Sequence, residues 1–106
     1  MDSQRRSVPR YQFFADCEVE IGNTRLKART SELSLCGCFV DMLNPTPEGS
    51  TLRIVILHGD TMLGALGRVA YILPNIGMGV AFVTIEPSQL AILQKWLADP
   101  QIVRLQ

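Results

Sequence analysis

The sequence lacks an excess of charge of either sign: ten lysines and arginines balance ten aspartates and glutamates among 106 residues. Long nucleic acids are held largely through their phosphates, which requires a basic excess, so we expect no long nucleic acid as a partner. A small anionic ligand is compatible with this balance, because a few local arginines suffice to bind it. A chain of this length forms one domain and leaves no room for separate cofactor and substrate domains.

Long apolar runs are absent as well. None approaches the roughly 18 residues that a membrane-spanning helix requires. The segment from Met1 to Arg6 leads into Tyr11 without the apolar core of a signal peptide. We therefore expect no membrane insertion and a cytoplasmic location.

Cysteine and histidine, the residues that most often bind zinc, are scarce. The three cysteines are Cys17, Cys36 and Cys38, and an odd number without a signal peptide predicts free thiols. A structural zinc needs four ligands, and the spacing Cys36-Gly37-Cys38 is only a weak indication of one. We favour free thiols, buried or half-buried, over a metal site.

Sequence signals of catalysis are missing too. The single histidine, His58, lies in a predicted turn beside Gly59 and Asp60, where a histidine is usually solvated. The chain contains neither a GxxxxGK(S/T) phosphate loop nor an HExxH motif. We expect no enzyme and no cofactor. Cys36 and Cys38 leave a thiol-based redox enzyme as an alternative, which a lowered cysteine pKa would support.

The sequence does have a strong alternation of apolar and polar residues. From Tyr11 to Ile21 every second residue is apolar, which predicts a half-buried strand. Gly22-Asn23 predicts a hairpin turn, and the chain returns from Thr24 to Ser31. The outward residues of the first strand are largely acidic and those of the second are basic, so opposite charges are expected to face each other across the pair.

Further strands are predicted over residues 38–42, 51–57, 62–73 and 78–85, separated by segments rich in glycine, proline and asparagine. Pro87 suits a first helical position, and Gln89 could form half of a capping box. Leu90, Leu93, Trp96 and Leu97 then recur at helical spacing. This order favours a small all-β barrel or sandwich of six antiparallel strands with one C-terminal helix. Glycines inside the strand 62–73 favour the barrel, because they permit the sharp coiling that closure requires. The expected organisation is a flexible basic arm over 1–10, the barrel with its helix over 11–98, and a tail over 99–106.

Two short segments carry candidate function. The first is Arg6-Ser7-Val8-Pro9-Arg10, and the second runs from Glu32 through Ser34 to Gly37. Taken singly they read as a solvated basic tail and an ordinary turn. Together, in this order, they resemble the PilZ domain, whose marks are RxxxR followed by (D/N)xSxxG. Glu32 stands where that family has Asp or Asn. The stretch from Gly77 to Phe82 also resembles a late G-x-G-V-x-F strand of the family.

The resemblance implies a six-stranded PilZ-like barrel that acts as a receptor for the bacterial second messenger cyclic di-GMP. The implied ligand residues are Arg5, Arg6, Arg10, Glu32, Ser34, Gly37 and Tyr71. Arginine suits this ligand because its planar fork pairs with guanine O6 and N7, chelates phosphate and stacks on bases. Tyr71 shares the parity of Val69, which predicts a core residue, although some relatives place an aromatic side chain here against a guanine.

The implied function is a receptor or adaptor that relays the signal to an unidentified effector protein, by ligand-induced ordering of its N-terminal arm. The chain is expected to be a monomer or weak dimer. The alternative is a PilZ-like adaptor that no longer binds the nucleotide and acts only through protein contacts. The arginine pair Arg6 and Arg10 favours the receptor, and the replacement at Glu32 favours the adaptor.

Overall fold

The chain folds into a closed barrel of six antiparallel strands with one helix, in a computed structural model that describes residues 8–106. The elements are β1 (Arg10–Ile21), β2 (Thr24–Ser34), β3 (Gly37–Asp41), β4 (Thr51–His58), β5 (Thr61–Leu73), β6 (Gly77–Thr84) and α1 (Pro87–Leu97). Around the barrel the strand order is β1-β2-β3-β6-β5-β4. The predicted all-β class, strand number and C-terminal helix are confirmed.

Alternation along the strands decides which residues fill the barrel. In β1 the inward side chains Phe13, Ala15, Cys17 and Val19 are all buried, as the period of two requires. Thr30 is a fully buried polar residue on β2, and its hydroxyl donates to the carbonyl of Phe13 at 2.8 Å. That bond lies where β1 carries an extra residue relative to β2, between Gln12 and Ala15. Thr30 thus satisfies a carbonyl that the bulge would otherwise leave without a partner.

The outer face of the β1–β2 hairpin carries the expected charge pairs. Asp16 lies opposite Arg29, and Glu20 lies opposite Arg25. Their nearest charged atoms are 3.9 Å and 3.8 Å apart. These side chains are well exposed, so each pair stabilises the hairpin by no more than about 1 kcal/mol. Their larger effect is on register, because a slip of one residue would turn every charge inward.

Helix α1 begins at Pro87, as predicted, but the expected capping box does not form. The helix has no side-chain cap, and Gln89 Oε1 instead accepts the backbone N–H of Gly64 at 2.8 Å. Pairing between β5 and β6 begins only at Leu66, so the edge of β5 before it faces the helix. A side-chain bond to the barrel therefore replaces a bond within the helix.

The predicted apolar stripe of α1 packs onto the barrel. Leu93 and Trp96 are buried, and the Trp96 ring stacks on Phe13 with centroids 5.3 Å apart. His58 is the last residue of β4 and is half-buried, not a solvated turn residue as expected. Its ring lies 4.8 Å from that of Phe13 and 5.2 Å from that of Trp96. The helix brings these aromatic rings together, which the local sequence around His58 does not reveal.

Two strands are longer than the sequence predicted. β1 begins at Arg10, which the sequence placed in the arm, and β2 continues to Ser34, past the break expected at Ser31. Residues of the predicted tail lie along the start of β1. Leu105 N–H donates to the carbonyl of Arg10 at 2.7 Å, and Gln12 N–H donates to that of Val103 at 2.8 Å. Within residues 8–106, no helix is both long and apolar enough to cross a membrane.

Candidate functional site

A cleft of about 410 Å³ lies on the outer surface of the barrel, where the start of β1, the β2–β3 turn and strands β3, β5 and β6 meet. Its volume is within the range of small-molecule sites. The outward residues that line it are Val8, Arg10, Glu32, Ser34, Cys36, Gly37, Phe39, Ala70, Tyr71, Gly79 and Ala81. The structure therefore brings together every described residue that the resemblance assigned to the ligand.

One row of paired residues crosses the cleft. Glu32 lies opposite Phe39, Phe39 opposite Gly79, and Gly79 opposite Tyr71, on four adjacent strands. The row has a carboxylate at one end and a phenol ring at the other, with Arg10 on β1 beside the carboxylate. Such an arrangement can bind planar bases, through a polar edge at the carboxylate end and through a ring face at the phenol end.

Arg10 and Glu32 form an ion pair at the mouth of the cleft. Arg10 Nη1 lies 3.5 Å from Glu32 Oε1, and the two side chains are 61% and 38% exposed. A surface pair of this kind is worth about 0–1 kcal/mol. A ligand can therefore replace it at little cost, and the guanidinium retains donors that face away from Glu32.

Ser34 holds the β2–β3 turn together. Its hydroxyl oxygen accepts the N–H groups of Cys36 at 3.0 Å and Gly37 at 3.2 Å, and the hydroxyl donates to the carbonyl of Gly37 at 3.4 Å. The residue is buried, with 8% exposure. The bond to the Gly37 carbonyl is long, so its hydrogen is the one that a ligand oxygen can compete for.

Gly37 is required by close packing rather than by a positive φ. A Cβ at this position would overlap the carbonyl oxygen of Val80 and lie 3.2 Å from Ala81 Cα, both on β6. β3 and β6 therefore approach closely at the cleft wall. Any side chain here would push the turn away from the barrel.

Tyr71 is not the core residue that its parity with Val69 predicted. Pairing with β6 skips Ala70, since Val69 lies opposite Val80 and Tyr71 opposite Gly79. This bulge turns Tyr71 outward, where it is 45% exposed and lines the cleft. The placement agrees with the ligand-facing alternative for this residue.

Sequence reasoning missed Phe39 as a cleft residue. Its ring centroid lies 6.2 Å from that of Tyr71, at an interplanar angle of 34°. The available signal was the pair Gly77 and Gly79, since a strand with two bare positions needs large neighbours to cover it. Arg5 and Arg6 lie outside the described residues. Val8, the first described residue, lines the cleft.

The buried thiols are poor nucleophiles. Burial, and secondarily the charges of Asp16 and Asp41, raises the pKa of Cys17 to about 12. Burial also raises the pKa of Cys38 well above its usual range. Both thiols stay protonated at neutral pH, which argues against a redox centre that needs a reactive Cys38. All three cysteines are free, with only Cys36 exposed, and residues 8–106 hold no group of three metal-ligating side chains.

Comparison with known proteins identifies the family. The sequence matches the family model of the PilZ domain over residues 4–99. The chain therefore belongs to the PilZ domain family, as its motifs indicated. No curated protein sequence matches it at a significant level.

Three solved structures have the same fold. The PilZ domain of YcgR from Escherichia coli, solved with cyclic di-GMP, has a TM-score of 0.73 at 19% identity and covers 88% of each chain. The Bacillus subtilis inhibitor of motility MotI (DgrA) has a TM-score of 0.75 at 17% identity, over 88% of this chain and 49% of that one. The chain thus spans about half the length of MotI. The PilZ domain of CeSA from a cellulose-synthesizing bacterium has a TM-score of 0.65 at 16% identity, over 82% of this chain and 92% of that one.

Proposed function

We propose that this PilZ domain is a receptor for cyclic di-GMP and binds it in the cleft between Arg10 and Tyr71. The observation that carries the proposal is the convergence of Arg10, Glu32, the Ser34–Gly37 turn and Tyr71 on one surface cavity. The similar domain of YcgR was solved with this ligand. That likeness supports the choice of ligand, and the chemistry of the cleft supports it independently.

Guanine matches the polar wall of the cleft. The carboxylate of Glu32 can accept both N1–H and the N2 amine of guanine, whereas adenine offers no such pair of donors. The guanidinium of Arg10 can pair with guanine O6 and N7. Arg10 and Glu32 are already 3.5 Å apart, so a single base can contact both after their ion pair opens.

The phosphates need further positive charge, which the N-terminal residues can supply. We propose that Arg5 and Arg6 close over the ligand and that charge-assisted hydrogen bonds to phosphate, each about 1.5–3 kcal/mol, offset the ordering of this segment. Arg10 already belongs to β1. Ligand binding must therefore order fewer residues than it would for an arm over 1–10. Each residue that is ordered costs about 1–2 kcal/mol of backbone entropy.

The proposed output is a changed surface that an effector protein recognises. The segment that closes over the ligand would add arginines and the ligand itself to the face beside the β2–β3 turn. Because only the bound state presents this surface, an effector that recognises it would bind the liganded domain more tightly. By linkage the effector would raise the affinity for the ligand by the same factor.

Calorimetric titration of the purified protein with cyclic di-GMP, with GTP as the control nucleotide, tests the proposal. We expect saturable heat with cyclic di-GMP and none with GTP, because the single base of GTP cannot contact both the Glu32 end and the Tyr71 end of the cleft. Equal heats for the two nucleotides would contradict a cyclic dinucleotide receptor.

A second candidate is an adaptor that binds no nucleotide. The ion pair between Arg10 and Glu32 favours it, because the two groups already neutralise each other without a ligand. Glu32 also departs from the family's Asp or Asn. Absence of saturable heat with cyclic di-GMP, in a protein with a cooperative thermal transition, would favour this adaptor over the receptor.

A further inference from the structure

The aromatic side of the cleft depends on a residue without a side chain. Gly79 faces outward on β6, between the buried residues Met78 and Val80. A Cβ built on Gly79 would meet three atoms of the Tyr71 ring, Cε1, Cζ and Cδ1, all at less than 3.0 Å. The Tyr71 ring therefore lies directly on the backbone of β6 at Gly79.

Phe39 lies on β3, on the side of β6 opposite to Tyr71. It is paired with Gly79 across β3 and β6, and its ring lies 6.2 Å from that of Tyr71. The Phe39 ring covers Gly77, where a Cβ would lie 2.9 Å from Phe39 Cζ. The two rings thus cover consecutive outward glycines of one strand, and both rings line the cleft.

Two features around Gly79 lower the stability of the sheet. A glycine inside a strand costs roughly 0.5–1 kcal/mol relative to alanine, and the extra residue Ala70 interrupts the β5–β6 ladder. The result is a tyrosine ring that is still 45% exposed. Local departures of this kind from the usual sequence preferences of a strand are typical of functional sites.

We propose that Gly79 is a positioning residue of the ligand site: its missing side chain seats the Tyr71 ring on β6, with the ring's free face turned to the cleft. The proposal rests on the proposed function and names the part of the ligand involved. The seated ring stacks on one purine of cyclic di-GMP, while Glu32 and Arg10 bind the polar edge of a guanine. The two ends of the row thereby recognise a dinucleotide rather than a single base.

The test is the substitution Gly79→Ala, because the new methyl group would meet only the Tyr71 ring among its three nearest neighbours. We expect Gly79→Ala to weaken cyclic di-GMP binding about tenfold, the order expected when one base–aromatic stack is lost. Tyr71→Leu should cause a similar loss. The double variant should be no weaker than either single variant, since both remove the same contact.

Gly64→Ala is the matched control. Gly64 is also a strand glycine, but it lies away from the cleft. The atom nearest to a Cβ added at Gly64 would be Arg53 Nη2, at 3.4 Å. This variant should bind cyclic di-GMP as the parent does. Thermal unfolding of the four variants and the parent separates a loss of affinity from a loss of fold.

An NMR measurement without ligand tests the contact between Gly79 and the Tyr71 ring. In the parent protein Gly79 lies against the Tyr71 ring, whose ring current should shift the NMR resonances of the glycine α-protons. Tyr71→Leu should remove the shift. If the parent and Gly79→Ala bind cyclic di-GMP equally well, the inference is wrong although the proposed function stands. The inference is also wrong if Tyr71→Leu leaves the Gly79 resonances unchanged. If the parent does not bind, the proposed function itself is overturned.

Discussion

The backbone of Arg10 is fixed in the sheet, whereas its side chain is largely exposed. Its carbonyl accepts a hydrogen bond from Leu105 and it is paired with Ser34, yet its side chain is 61% exposed. Arg10→Ala should therefore weaken cyclic di-GMP binding by about 1–3 kcal/mol, roughly 5- to 150-fold, as for other guanine contacts. The melting temperature without ligand should stay nearly unchanged, because only a surface ion pair is lost.

Arg25→Ala provides the control for this prediction. Arg25 also forms an exposed ion pair on the β1–β2 hairpin, with Glu20 at 3.8 Å, but it does not line the cleft. Calorimetry should show parental affinity for Arg25→Ala. A large drop in melting temperature for Arg10→Ala alone would show that Arg10 is structural.

Glu32 is the departure from the family motif, and its substitution has a defined order of outcomes. Glu32→Asp should bind cyclic di-GMP at least as tightly as the parent, because the carboxylate acceptor is retained with one fewer rotatable bond to order. Glu32→Ala should bind more weakly. Calorimetric affinities of the three proteins decide this, and three equal values would mean that the carboxylate does not contact the ligand.

At the scale of elements, the N-terminal segment and β1 should respond differently to the ligand. We predict that the amides of residues 5–8 gain protection from hydrogen exchange only when cyclic di-GMP is bound, because the ligand phosphates engage Arg5 and Arg6. The amide of Gln12 is the internal control, since it already donates to the carbonyl of Val103 at 2.8 Å. Fast exchange at residues 5–8 with ligand bound would exclude closure of this segment over the site.

For the whole molecule, the buried thiols predict a loss of stability in alkali. The Cys17 pKa rises from 9.0 to about 12 on folding. Between these values the unfolded chain releases the thiol proton and the folded protein retains it, so the free energy of unfolding falls as pH rises. The stability is fully present below pH 9 and is lost toward pH 12, with a slope of about 1.4 kcal/mol per pH unit for each such thiol.

Chemical denaturation from pH 8 to pH 11 measures this slope. Cys17→Ala should make it shallower by the contribution of one thiol, about 1.4 kcal/mol per pH unit. All other ionisable groups are common to the two proteins, so the difference between the slopes isolates Cys17. An unchanged slope would contradict the raised pKa. Thiol labelling of the native parent provides a second check, because only Cys36 is exposed and should react quickly.

The sequence alone determined the features that depend on local periodicity and turn chemistry. The alternation in β1 predicted its buried side chains, and the charges of Asp16 and Arg29 predicted which outer faces would meet. The resemblance was enough to indicate the family and five of the described cleft residues, Arg10, Glu32, Ser34, Gly37 and Tyr71. These features are readable because neighbours along the chain, or across a short hairpin, decide them.

Only the tertiary structure decided the features that depend on long-range register. The bulge at Ala70 appears when β5 pairs with β6, and it turns Tyr71 from the expected core to the cleft. Gln89 bonds Gly64 instead of capping its helix because an edge of β5 lies beside it. Phe39 joins the site because closing the barrel places β6 between β3 and β5, so that Gly79 lies under the Tyr71 ring. None of these contacts is encoded within a segment short enough to be read by itself, since each depends on how separate strands, or a strand and the helix, pack in the folded barrel.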